Sequence, residues 1–217
     1  SPQAAKVQDL LDPENPVPFE EIYLPFVTVA RQKLHSLAGT ACDVLTEKAH
    51  TDLERNLLRR LFHLCAQALD LKFSVLRATR QSGLGRLLES LEQTPSRDLY
   101  RALVEELLEG DLGDFFQEYP VLGRLVGTII DLWVESVAEF LHRLEADLAA
   151  LQQTFQPHTE PGRVVAIKPV FSDPHNRGHS VIAVEFASGL SLIYKPKDLG
   201  LEVAYFEFLA WLNEHSG

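Results

Sequence analysis

The sequence predicts an α+β protein: a helical region, then a three-stranded antiparallel meander and a final helix. Three observations lead there. Apolar residues recur at three- and four-residue steps from about Phe19 to Phe155. A breaker cluster, Pro157 to Gly162, follows. Beyond it the apolar period becomes that of strands, in short runs joined by polar loops. The chain has 217 residues, 46% of them hydrophobic, which is too apolar for disorder and long enough to bury a core.

Taken in order, residues 1–18 are polar and proline-bearing and read as an extended or poorly ordered lead-in. The helical region spans 19–156. Its first pattern runs through Phe19, Ile22, Tyr23, Phe26, Val27, Ala30 and Leu34; Pro25 is expected to kink or split it, and Gly39 to stop it. A second helix is expected from about Thr51 to Arg80, along Leu53, Leu57, Leu61, Leu64, Ala68, Leu71, Val75 and Leu76, with Thr51 and Glu54 as a capping box. Shorter helices follow near 84–92 and 97–109, the latter capped by Ser96 and closed by Gly110. Gly83-Leu84-Gly85 lacks the third glycine of a dinucleotide loop and reads as a turn. A long helix of roughly 50 Å begins near Pro120, with Leu122, Leu125, Ile129, Trp133, Val137, Phe140 and Leu144 on one face. Its Glu135, Glu139, Glu145 and Asp147 read as a solvated face rather than a cation site.

Residues 157–217 carry strands at 163–170, 180–186 and 190–195, a polar loop at 171–179, a tight turn at Ala187-Ser188-Gly189, and a helix near 202–214 with Val203, Phe206, Leu209 and Leu212 on one face. Strand, polar loop with a glycine, strand, turn, strand ending in lysine, helix is the order of a kinase-like small lobe. A phosphate site needs a fixed cation and backbone N–H donors. Lys195 is the candidate cation, and an ordinary surface lysine is the alternative. Glu207 is its candidate partner, with Glu202 next. In the loop, Asp173 or His175 could handle protons, with Asn176, Arg177 and Gly178 near phosphate. The same residues are good turn formers, and Gly178 accepts a positive φ. Ligation of a metal by His175, His179 and Asp173 is weakened by the lack of a cysteine or third histidine nearby.

Charge excludes some functions. The formal net charge is −11. Residues 1–160 hold 15 basic and 25 acidic side chains, a balance of −10; residues 161–217 hold 5 and 6, a balance of −1. This argues against nucleic acid and anionic lipid as partners. No apolar run reaches about 18 residues, so no membrane span is expected. No secretory start is present. Cys42 and Cys65 lack metal spacing and read as buried free thiols, as in a cytoplasmic protein. The chain has no methionine and begins on a polar stretch, as part of a longer protein would.

Asp173-Pro174-His175-Asn176-Arg177-Gly178-His179-Ser180-Val181, then Ser188 through Lys197 with Tyr194-Lys195-Pro196-Lys197, then Ala210-Trp211-Leu212-Asn213, resemble the dehydratase domain of class II (LanM-type) lanthipeptide synthetases. Pro25-Phe26-Val27, Asp52-Leu53-Glu54-Arg55 and Leu57-Leu58-Arg59-Arg60 resemble that family's upstream helices. The resemblance implies an enzyme that uses ATP and Mg²⁺ to phosphorylate Ser and Thr of a ribosomal precursor peptide, then eliminates phosphate to leave dehydroamino acids. It implies partners: that peptide, with its leader and core, the remaining dehydratase lobe and a C-terminal cyclase domain. It puts Asp173 and His175 in the active site and Lys195 on the phosphates. Two positions depart from the pattern: Ser172 stands where glycine is usual and His179 where arginine is usual. The metal-holding and eliminating residues of that family lie beyond this stretch, so these 217 residues alone are not expected to turn over ATP. The alternative is a non-catalytic helical module that binds a peptide or partner.

Overall fold

A computed structural model of the chain describes residues 10–11, 14–80, 97–169 and 178–215. Helices come first, then a three-stranded antiparallel sheet and a last helix, the α+β arrangement expected.

Helix α1, Glu20–Ala38, buries Ile22, Tyr23, Val27, Ala30, Leu34 and Ala38 on one face. Pro25 does not split it: the helix runs through without a break. Pro25 lies on the exposed side, where the carbonyl it leaves unpaired can meet water, while burial of Tyr23 and Val27 holds the backbone. Gly39 does stop it, at φ 54°, a conformation open to a residue without Cβ. A 3₁₀ turn, Gly39–Val44, follows.

Helix α2, Glu47–Arg80, starts earlier than the sequence suggests. Thr46 takes the capping place, its hydroxyl 3.4 Å from the Ala49 N–H. The expected capping box is therefore no cap. The Thr51 hydroxyl donates to the Glu47 carbonyl within the helix, and Glu54 is bound to Arg31. Leu53, Leu57, Leu61, Cys65 and Leu69 form the buried stripe, while Leu71 and Val75 of the expected pattern are exposed. Cys42 and Cys65 are both free and buried, and burial pushes the Cys65 thiol up to about 11.

The expected helix near 84–92, the Ser96 cap and the Gly83–Gly85 turn lie outside the described residues. Helix α3, Arg97–Glu106, ends sooner than expected. A π-helical segment, Leu107–Asp111, takes Gly110 out of helical geometry, and an unforeseen helix α4, Leu112–Glu118, follows. Helix α5, Pro120–Phe155, has the expected extent, with Pro120 in its first turn. Its buried stripe starts on Val126 and Ile130 rather than on Leu122 and Leu125; Leu125 is 41% exposed. Two apolar stripes overlap at that end, and only packing selects one. From Trp133 through Val137, Phe140 and Leu144 the expected face is buried.

Strands β1 (Val164–Pro169), β2 (Ile182–Phe186) and β3 (Ser191–Tyr194) form a meander in that order. β2 begins two residues later than expected, and β3 ends at Tyr194, leaving Lys195 just past the strand. Ile167, Val184 and Leu192 lie across from one another. With Val164 and Phe186 they join the same apolar cluster as the helices. The sheet is tied to α2 by polar bonds as well. The Val164 carbonyl accepts the Thr46 N–H at 2.9 Å and its hydroxyl at 3.0 Å.

The described part of the lead-in is docked rather than loose. Leu10 is fully buried, and Arg55 donates to the carbonyls of Leu10 and, at 3.0 Å, Asn15. The last helix, α6 (Gly200–His215), has the opposite character. Its expected apolar face does not go into the core: Val203 and Phe206 are exposed, as are Leu201, Tyr205, Phe208 and Trp211. Among the described residues, no helix is long and apolar enough to cross a membrane.

Between α1 and α2, Arg31 grips Glu54 with two bonds of 2.5 Å. Beside them His50 Nε2 meets the Cys42 carbonyl at 3.1 Å, and burial holds its imidazole below the usual 6.5. The folded state therefore disfavours the charged ring. As pH falls below about 7 the unfolded chain takes up the proton first, so stability is expected to drop until the folded imidazole titrates too. Urea midpoints should fall between about pH 7.5 and 5.5, and less so in His50→Gln. An equal fall in both would remove His50 as the cause. Leu57→Ala, which empties a fully buried site, is expected to cost about 2–5 kcal/mol in urea unfolding.

Candidate functional site

A cleft lined by both apolar and polar side chains lies where α2, α5 and the sheet converge. Asp52, Asn56 and Arg60 project into it from α2, four residues apart and so on one face. Trp133, Ser136, Val137 and Phe140 of α5 form the opposite wall; Ile167, Ile182, Tyr194 and the Gly178–Ser180 segment close it. Asp52 and Arg60 each have an identifiable task. Asp52 Oδ2 accepts the Ile167 N–H at 3.0 Å, fixing the middle of β1, and pairs with Lys48 at 3.1 Å. Arg60 donates to the Gly178 carbonyl at 3.2 Å and the Ser180 hydroxyl at 3.3 Å. Burial pushes the Arg60 guanidinium below its usual range.

On α5, Glu139 links three elements. His179 Nε2 lies 3.0 Å from one carboxylate oxygen and Arg143 2.5 Å from the other. Arg143 also donates to the Tyr194 hydroxyl at 3.2 Å. The bond to His179 holds the Glu139 carboxyl below the usual carboxylate range. The sequence reading made Glu139 part of a solvated face. It is half-exposed, but it anchors the segment that follows the polar loop.

The sequence-derived candidates fall in different places. Asp173, His175, Asn176 and Arg177 lie outside the described residues. Gly178 lines the cleft at φ 89°, the positive value expected of it, and a Cβ there would come to 3.4 Å from that of Leu132. Lys195 is exposed. The alternation of exposed and half-buried residues from Ser191 to Pro196 puts it on the side of Ile193, away from Tyr194 and the cleft. Glu207 is exposed on α6, and among the described residues neither it nor Lys195 has an ion-pair partner. The ion pair at this corner joins Lys197 to Glu202 instead. That bond, helped by the charge of Lys195, holds the Glu202 carboxyl low. Thus the second choice of partner, Glu202, is the carboxylate beside the Tyr-Lys-Pro-Lys segment. Among the described residues no group of three or more His, Cys, Asp and Glu is placed to hold a metal ion.

A family model described as a domain of unknown function (DUF4135) matches residues 119–217. The match begins at the N-cap of α5, so it takes the long helix together with the sheet that this helix backs. No curated protein matches the chain.

Sequence reasoning did not single out Asp52, Asn56 and Arg60 as a site. The available signal was three polar residues at four-residue steps beside the apolar stripe Leu53, Leu57, Leu61. Asp52→Ala would strip β1 of a part-buried acceptor and is expected to cost about 1–3 kcal/mol, with Asp52→Asn costing less. Urea unfolding and the exchange rate of the Ile167 amide measure this. An unchanged Ile167 amide in the alanine variant would show that the bond does not hold the strand.

Proposed function

We propose that the chain is the N-terminal part of a LanM-type lanthipeptide synthetase dehydratase. In this reading the whole enzyme phosphorylates Ser and Thr of a ribosomal precursor peptide with ATP and Mg²⁺, then eliminates phosphate to give dehydroamino acids. The observation that carries it is the DUF4135 match over 119–217. That domain is found in the dehydratase regions of such synthetases. The matched stretch holds the Asp173–Gly178 loop and Tyr194-Lys195-Pro196-Lys197.

The described residues fit the phosphates of ATP in one respect. Lys195 is an exposed lysine with no carboxylate bound to it among them, and Lys197 stands two residues on. Bound there, ATP supplies the phosphoryl group that makes a hydroxyl oxygen a leaving group. Lys195 would bind and orient the phosphates, Asn176, Arg177 and Gly178 would contact them, and Asp173 and His175 would hold or move protons at the peptide. For Mg²⁺ the described residues do not fit, since they form no carboxylate cluster. Its ligands, in this reading, belong to the remaining dehydratase lobe.

A second reading, a non-catalytic module that binds a peptide or partner domain, draws on α6. A helix apolar on all sides is normally buried, yet Leu201, Phe206 and Trp211 are 82%, 68% and 53% exposed. The two readings join if α6 is covered by the remaining lobe.

The test uses the longer protein with its precursor peptide, separating phosphorylated from dehydrated product by mass. Lys195→Ala should slow both steps by at least ~10²-fold, as loss of one charge-stabilising donor does. Asp173→Ala and His175→Ala should slow phosphorylation, elimination or both by ~10²–10⁴-fold. Full dehydration in all three variants would remove the roles given to these residues; no phosphorylated or dehydrated product from the unmodified protein would sink the enzymatic reading and leave the binding module.

A further inference from the structure

We propose that the α2 end of the cleft, at Arg60, Asn56 and Ser180, is a binding site for a tetrahedral phosphate anion. It is separate from the exposed surface that carries Lys195.

Arg60 has no counter-charge among the described residues. Taking a guanidinium out of water is costly unless an anion meets it. The part-buried Arg31 obeys this, gripped by Glu54 at 2.5 Å. Arg60 is partly buried, but its partners among the described residues are a carbonyl and a hydroxyl, at 3.2 and 3.3 Å. No carboxylate pairs with it among those residues. Two of its five N–H groups are used, and the rest of the fork remains for an oxyanion.

A second observation is independent of the first. Asn56, one turn away on the same face, lines the cleft with no partner for its amide among the described residues. The Ser180 hydroxyl, 3.3 Å from Arg60, lines the same cleft from the loop. Donors approaching from two helix positions and a loop suit a tetrahedral anion better than a planar carboxylate. The cavity, about 40 Å³, has room for one such group in place of about three waters at ~10–15 Å³ each.

The surrounding charges do not oppose it. Asp52, on the same wall, is two helical turns away, about 12 Å along the axis, and is held by Lys48 and the Ile167 N–H. Glu139 is matched by Arg143 and His179. The choice of phosphate among tetrahedral anions rests on the functional reading above; the existence of an anion site does not.

The 217-residue chain is titrated with inorganic phosphate at constant ionic strength and followed by amide NMR. Saturable shifts are expected at Gly178, His179 and Ser180 and along α2 near Asn56. Arg60→Gln should weaken binding by at least ~10-fold, and Asn56→Ala by ~2–10-fold, the worth of one hydrogen bond. Asn56→Ala also serves if Arg60→Gln does not fold. No saturable shifts, equal shifts with acetate, or unchanged affinity in the variants would overturn the site. Parallel titrations identify the source. Tighter binding of a phosphoserine peptide marks a phosphorylated substrate, of ATP a nucleotide, and of neither the free anion. Dehydration absent even with Lys195, Asp173 and His175 intact, and phosphate still bound here, would reject the enzymatic reading and keep the site. Normal dependence on those residues without phosphate binding would do the reverse.

Discussion

The inner face of the small sheet has to be covered, and only the helical region can cover it. Three strands of four to six residues do not make an independently stable unit. Val164, Ile167, Val184 and Phe186 go dry only against α2 and α5. The bonds from Thr46 and Asp52 to β1 then set the position of that strand along α2. Once it is set, the segment returning from the polar loop passes between Arg60 and Glu139, and Tyr194 comes up against Phe140 and Arg143. The cleft is a by-product of this packing: it is the space left where two cylinders and a twisted sheet fail to meet.

Much of this was legible in the sequence because periodicity is a property of the chain itself. The extent of α5 and the meander followed from apolar spacing and turn residues alone. What was not legible depends on partners distant in sequence. Thr51 and Glu54 have the spacing of a capping box, but Thr46 starts the helix because its hydroxyl serves α2 and β1 together. Pro25 is tolerated because packing of the residues around it outweighs a lost backbone bond. Lys195, expected to end the third strand, lies one residue past it. Its partner could not be read, because a helix's period does not reveal its azimuth or which of Glu202 and Glu207 turns toward the lysines. The same limit applies to Val203 and Phe206, whose spacing marks a face without saying what covers it.

Arg31 and Arg60 show how little residue type decides. Both are arginines in the helical region, both are partly withdrawn from water, and the sequence motifs around each are equally plain. One is neutralised by a carboxylate on the next helix and serves as a rivet. Among the described residues the other meets only neutral oxygens, at the edge of a cavity. The acidic excess of residues 1–160 therefore says nothing about the charge that a ligand of this cleft would carry. Local matching of charges, not the sum, governs what can enter.

Cys65 offers a different kind of consequence. Its sulfur is walled in by the apolar stripe of α2, and its thiol is held far from the reactive thiolate form. A reagent can reach it only when the helical core opens. The rate at which this thiol is alkylated is thus a clock for breathing of the domain, present in the natural sequence and requiring no introduced label.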